Sequence, residues 1–119
     1  MIGTGFAPEG LYDSYITTEL MSEMSWRTQP VNNISKWVEN YCTRRYGKTN
    51  YNATKAWIQL SKNVLNCKSD LFYVKKNLMT LTPKLNATDF TWYPFSDIVS
   101  ALDYLVKAVP DLQDEPGFQ

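Results

Sequence analysis

The 119-residue chain contains no histidine and only two cysteines, Cys42 and Cys67. A Ser or Cys nucleophile activated by an imidazole therefore cannot be assembled within it, and two thiols cannot complete a four-ligand structural zinc site. No metal and no other cofactor is expected. The two cysteines could bridge if the helices that carry them lie side by side, but two small buried apolar groups is the plainer reading. Basic residues never exceed two in succession (Arg44-Arg45, Lys75-Lys76), and twelve Lys and Arg balance twelve Asp and Glu. That pattern offers no footprint for a phosphate backbone, so nucleic acid is not an expected partner. Apolar runs stop well short of the ~18 residues a membrane span requires, and no charged start with a long apolar segment marks a signal peptide. No membrane contact is expected.

Glycine is scarce as well, and three of the five stand in the first ten residues, MIGTGFAPEG. A short apolar run from Met1 to Ala7, punctuated by Gly3 and Gly5, ends at Pro8 and delivers Glu9, with Gly10 immediately after. This reads as a strand feeding one carboxylate into a tight loop. The glycines permit close approach of neighbouring chain or ligand, and Pro8 fixes φ just before the acid. Taken on these ten residues alone, a solvated turn carboxylate is the plainer account of Glu9.

Beyond Gly10 the apolar period changes from two to 3.6. Tyr12, Ile16, Leu20 and Met24, with Tyr15 and Met21 beside them, predict one face of a helix starting near Asp13 or Ser14. Gln29-Pro30 breaks that pattern. Ile34, Trp37, Val38, Tyr41 and Cys42 predict a second helix with Asn32 or Asn33 as cap, Arg44-Arg45 in its last turn and Gly47 as its stop. Ala53, Ala56, Trp57, Leu60 and Val64 predict a third, from Asn50 or Asn52 to about Asn66, packed antiparallel to the second. From Lys68 to Tyr93 the pattern weakens: Leu71 to Val74 fits a short helix or a strand, and the rest reads as irregular connection. A last helix is expected with Ser96 as cap, Asp97 in its first turn, Val99, Leu102, Leu105, Val106 and Val109 inward, and Pro110 at its end.

Aromatic residues make up 14% of the chain. Each Trp or Phe buries about 150–250 Å², roughly 4–6 kcal/mol at ~25 cal/mol/Å² before entropy is subtracted, which favours core duty over sugar stacking. Trp37 and Trp57 fall on the apolar stripes and are assigned to the core; Trp26 and Trp92 fall off them and suit packing between structural units. Arg44 and Arg45 complement a helix dipole without needing an anionic ligand. Three Asn-X-Ser/Thr tripeptides are present, at Asn33, Asn52 and Asn86. Asn86, in the irregular stretch, is the foremost glycosylation candidate, whereas Asn33 and Asn52 also qualify as helix caps.

GTGFAPEG, then LMSEMSWR, Pro30, Trp37, RRYG from Arg44 to Gly47, Ala56-Trp57, Asn66-Cys67, Trp92-Tyr93 and Ser96-Asp97 follow one another in an order that resembles the lysosomal-type alpha-N-acetylglucosaminidases, glycoside hydrolase family 89. The stretch from Lys68 to Leu85 matches only loosely. The resemblance implies that this is an internal piece of a larger enzyme: residues 1–28 would be the last strand, catalytic loop and helix of a (β/α)8 barrel, and 29–119 the start of an all-α helical bundle domain. A whole barrel needs about 200–250 residues, more than are present. By the same resemblance Glu9 is the catalytic nucleophile of a retaining exo-glycosidase, with its general acid and base on an earlier strand. The substrate would be a glycan ending in alpha-linked N-acetylglucosamine, as in heparan sulfate, and the enzyme would reach the lysosome through the secretory pathway. The alternative is a non-catalytic helical module that binds glycan or protein, in which Glu9 is only a surface acid.

Overall fold

A computed structural model of the chain describes Gly5 and residues 14–66 and 92–119. The expected barrel strand, Glu9, Cys67, Asn86 and the weakly patterned segment 68–91 lie outside the described residues. Within them the protein is all-helical, with no strand. Four α-helices follow one another: α1 (Tyr15–Met24), α2 (Ile34–Tyr46), α3 (Tyr51–Gln59), continued by a π-helical turn (Leu60–Val64), and α4 (Phe95–Leu112).

Helix α1 begins at Ser14, whose carbonyl accepts the backbone N–H groups of Thr17 (3.0 Å) and Thr18 (3.1 Å) and the Thr17 hydroxyl (2.6 Å). The Ser14 side chain makes no capping bond. The buried face of α1 is narrower than its apolar pattern suggests. Ile16 enters the core and Leu20 packs against it, while Tyr15, Met21 and Met24 are exposed.

Helix α2 forms where its periodicity places it. The Asn33 side chain caps it by accepting the Lys36 N–H at 2.9 Å, and Gly47 ends it in the left-handed region at φ 72°. A residue with Cβ at that φ would be strained, which is why glycine serves as the stop. Trp37, Val38, Tyr41, Cys42 and Tyr46 all point inward. Trp37 stacks on Tyr41 at 5.8 Å, and Tyr41 meets Trp57 of α3 edge-on at 5.5 Å. Trp57 is half-buried and spends its indole N–H on the Tyr46 hydroxyl at 2.7 Å, so it bridges α2 and α3. Cys42 is a free, fully buried thiol beside the Ala53 carbonyl.

Helix α3 makes its most extensive contacts with α4 rather than with α2. The seam between them is lined by small residues, Ala53 and Ala56 on one side and Ala101 and Ala108 on the other, all essentially inaccessible. Small side chains let helices approach closely: the Asn52 Nδ2 of α3 lies 3.4 Å from the Lys107 carbonyl of α4. The inward face of α4 is therefore Ile98, Ala101, Ala108 and Leu112, with Tyr104 and Leu105 partly buried. This corrects the expected face in all but Leu105: Val99, Leu102, Val106 and Val109 are exposed, as is Phe95. Both sides of α4 are apolar, so large side chains alone could not tell which one meets α3. The expected ends of α4 also move. Pro94, not Ser96, precedes its first residue, and Pro110 lies inside, two residues before Leu112. Proline forfeits only its own N–H there, and Gln113 N–H still reaches the Val109 carbonyl at 2.9 Å.

Polar ties lock α3 against α4 at both ends. Asn50 caps α3 by accepting the Ala53 N–H at 2.9 Å, and its amide donates to Asp111 at 2.9 Å. Asp97 accepts from Asn63 at 2.8 Å and from Gln59 at 3.5 Å. The π-turn is closed by the Leu65 N–H bonding to the Leu60 carbonyl at 2.9 Å, and the Trp92 indole N–H is shared between the carbonyls of Asn63 and Val64 at 3.1 Å each. Trp92 thus packs on the end of α3 as a structural residue. Residues 113–119 turn back to α2, where Phe118 meets Tyr46 edge-on at 5.5 Å and Lys48 pairs with Glu115 at 2.9 Å. Gly117 is seated on the Arg45 carbonyl so closely that an added Cβ would lie 1.8 Å from it.

Candidate functional site

The chemistry expected at Glu9 lies outside the described residues, but the helix that follows it is described, and so is what holds that helix. On α1, Glu23 projects toward α2 and uses both carboxylate oxygens. Oε2 accepts the Trp37 indole N–H at 2.6 Å, and Oε1 accepts Arg27 Nε at 2.7 Å and Nη2 at 2.5 Å. Arg44 of α2 donates to Glu19 of α1 at 2.6 Å, lies 4.0 Å from Glu23, and stands over the Trp37 ring at 5.8 Å. With Ile16 and Leu20 in the same apolar cluster as Trp37, Val38 and Tyr41, α1 is attached to α2 by both apolar and charged contacts.

These contacts assign roles. The Trp37 hydrogen bond, then the Arg27 guanidinium, hold the Glu23 carboxyl below its usual range, so it stays ionised and has no proton to give. Glu23 is a structural acid. Arg44 is committed to Glu19 and Trp37, and Arg45 lies over the Tyr46 ring at 5.9 Å, so neither needs an anionic glycan to explain it. Burial pushes the Cys42 thiol up to about 11, which leaves it protonated and unreactive. Trp37 belongs to the core as its spacing indicated, whereas Trp26 is 89% exposed among the described residues.

A surface cavity of about 470 Å³ opens between α1, the start of α2 and the end of the π-turn. Its walls are Ile16, Leu20, Val38 and Leu65, with Asn33 and Ser61 among the polar groups. Among the described residues no carboxylate lines it, so these walls by themselves do not supply the acid pair that glycoside hydrolysis requires. Among the described residues no group of three or more His, Cys, Asp or Glu is placed to hold a metal ion, and no helix is long and apolar enough to cross a membrane. Of the three tripeptide asparagines, Asn33 is exposed at the start of α2 and Asn52 is half-buried in the first turn of α3.

Sequence reasoning missed the partners of three polar side chains. Glu23 and Arg27 stand four apart, a spacing that signals a helical ion pair, but nothing local announces Trp37 as the third member. Asn50–Asp111 and Asn63–Asp97 join residues 61 and 34 positions apart and leave no local signal.

Residues 37–119 match the family model of the alpha-N-acetylglucosaminidase (NAGLU) C-terminal domain. The whole chain is 33% identical over 120 aligned residues to alpha-N-acetylglucosaminidase of Homo sapiens, of which it spans 16%. Among solved structures, the family 89 enzyme of Clostridium perfringens in complex with its substrate GlcNAc-alpha-1,4-galactose superposes with a TM-score of 0.68 at 25% identity, over 99% of this chain and 14% of that one. A structure of a family 89 glycoside hydrolase from the same organism with 2-acetamido-1,2-dideoxynojirmycin superposes at 0.60 over 88% of this chain and 13% of that one; at 24% identity it supports the fold alone.

Proposed function

The chain belongs to the alpha-N-acetylglucosaminidase C-terminal domain family, and from that premise we propose that it is part of a retaining exo-glycoside hydrolase that removes terminal alpha-linked N-acetylglucosamine, with heparan sulfate as the natural glycan. The observation that carries this reading is the alignment of the entire chain, including GTGFAPEG, with an alpha-N-acetylglucosaminidase at 33% identity. The C. perfringens relative was solved with a substrate that bears an alpha-linked N-acetylglucosamine, which supports the same linkage.

Residues 1–28 are proposed as the end of a (β/α)8 barrel and 29–119 as the start of the helical domain. Glu9 then sits at the C-terminal end of a barrel strand, where catalytic groups of that architecture are found. Its carboxylate attacks the anomeric carbon and displaces the leaving oxygen, which a second carboxylic acid on an earlier strand protonates. The covalent glycosyl-enzyme then yields to water activated by that second group, so the alpha configuration is retained. Route and destination are proposed to be the secretory pathway and the lysosome, which would bring Asn33, Asn52 and Asn86 within reach of N-glycosylation.

The test is the full-length parent with Glu9→Ala. Turnover of an aryl alpha-N-acetylglucosaminide should fall by several orders of magnitude, and added azide should take the vacated space and give a beta-linked glycosyl azide. An alpha-linked azide would make Glu9 the acid and base, and near-normal turnover would remove it from the chemistry.

A further inference from the structure

Two of the three tripeptide asparagines are described, and their surroundings are opposite. We propose that Asn33 is an N-glycosylation site that keeps its helix-capping role when modified, and that Asn52 is excluded; this rests on the secretory route proposed above. At Asn33 the two halves of the side-chain amide have separate duties. Oδ1 accepts the Lys36 N–H at 2.9 Å and so turns back over the first turn of α2. A glycan is attached through Nδ2, which the planar amide directs away from Oδ1, and the carbonyl keeps its lone pairs after attachment. The cap and the sugar are therefore compatible. Asn33 and Ile34 are exposed, and Ser35 is half-buried, so the tripeptide lies at the surface where the chain enters the first turn of α2.

At Asn52 the same atom is already engaged. Nδ2 faces the Lys107 carbonyl of α4 at 3.4 Å, Ala53 is fully buried, and Thr54 is half-buried beside the Cys42 thiol. The whole tripeptide is wound into α3 where α2 and α4 converge on it. A pyranose ring on Nδ2 would crowd the α4 backbone and open the alanine-lined seam. Chains modified there during synthesis would not close that seam, and folded protein is left with Asn52 bare.

The experiment uses the full-length parent, secreted from a eukaryotic host behind a foreign signal peptide, so that entry into the pathway is imposed. Peptide-N-glycosidase treatment in heavy-oxygen water converts each occupied Asn to labelled Asp, and mass spectrometry reads positions 33 and 52 separately. Label on most molecules at 33 and none at 52 is expected. Position 33 unlabelled, or position 52 labelled to the same extent, would overturn the inference. Asn33→Asp supplies a second readout: it keeps the capping oxygen and removes the attachment atom, so the product should lose one glycan yet retain the amide protection of the first turn of α2. Loss of that protection would overturn the claim that cap and glycan use separate atoms. The same parent with its native N-terminal sequence tests the secretory route itself, because absence of any N-glycan there, with label at 33 under the foreign leader, rejects the route and keeps the site.

Discussion

Replacing Asn50 should loosen α3 more than any other single polar change among the described residues. It is only 8% exposed and serves two helices at once, accepting the Ala53 N–H at the start of α3 and donating to Asp111 near the end of α4. Removing a capping side chain costs about 1 kcal/mol. A hydrogen bond to a charged group contributes a further 1.5–3 kcal/mol or so, and truncation leaves Asp111 without that donor. Because the two share one amide, their losses are not independent, and about 2–4 kcal/mol is expected for Asn50→Ala in the full-length parent. Native-state hydrogen exchange on peptides covering 50–60 reads the change as local opening of α3, without requiring the whole multidomain chain to unfold in two states. Asn50→Asp separates the contributions. It retains an acceptor for Ala53 and places negative charge at a helix N-terminus, which is favourable, but sets a carboxylate against Asp111. Protection should fall in Asn50→Asp and recover when Asp111→Asn is added. An Asn50→Ala protein whose α3 protection changes by less than about 0.5 kcal/mol, the scatter of an ordinary surface substitution, would refute this account.

Two further outcomes follow from the described side chains. Because Glu23 is held below its usual 4.5, its contribution to the α1–α2 contact is complete above that value and is lost as pH falls through the lower folded one. Exchange protection of 15–24 should thus stay level from neutral pH to about 5 and drop only below the ordinary carboxylate range, while Glu23→Gln should flatten the drop; an identical acid profile in both proteins would refute the assignment. Cys42, protonated up to about 11 and fully buried, should resist a maleimide at pH 8 in the folded parent and react once denaturant is added, whereas labelling as fast as a free thiol would refute its burial.

What was legible in the sequence was local. The stripe from Trp37 to Cys42, the glycine at 47 and the asparagine cap at 33 each act within a turn or two, and α2 has the expected bounds, although Ile34, expected on the same stripe, is exposed. The inward face of α4 was not legible, because Phe95, Val99, Leu102, Val106 and Val109 form a stripe with a regular 4-3-4-3 spacing of large residues, while the face that meets α3 is built around Ala101 and Ala108. A hydrophobic pattern ranks residues by size; close helix packing selects some of them for being small. Tyr15 and Met21 were misplaced for a related reason, since Ile16 and Leu20 suffice to dock α1 and the residues beside them need not be covered by this part of the chain. At the site, Glu9 is proposed only through the resemblance of its flanking motif, and the Glu23–Trp37 bond is visible only in three dimensions.

The hydrogen bond from Trp92 to the end of the π-turn joins positions far apart in the sequence. Val64 and Trp92 are 28 positions apart along the chain, yet 3.1 Å separates the Val64 carbonyl from the Trp92 indole nitrogen. The end of the π-turn and the approach to α4 thus meet at one place, in addition to the alanines and asparagines that hold α3 and α4 along their seam. The helical frame therefore keeps its register through contacts among its own side chains.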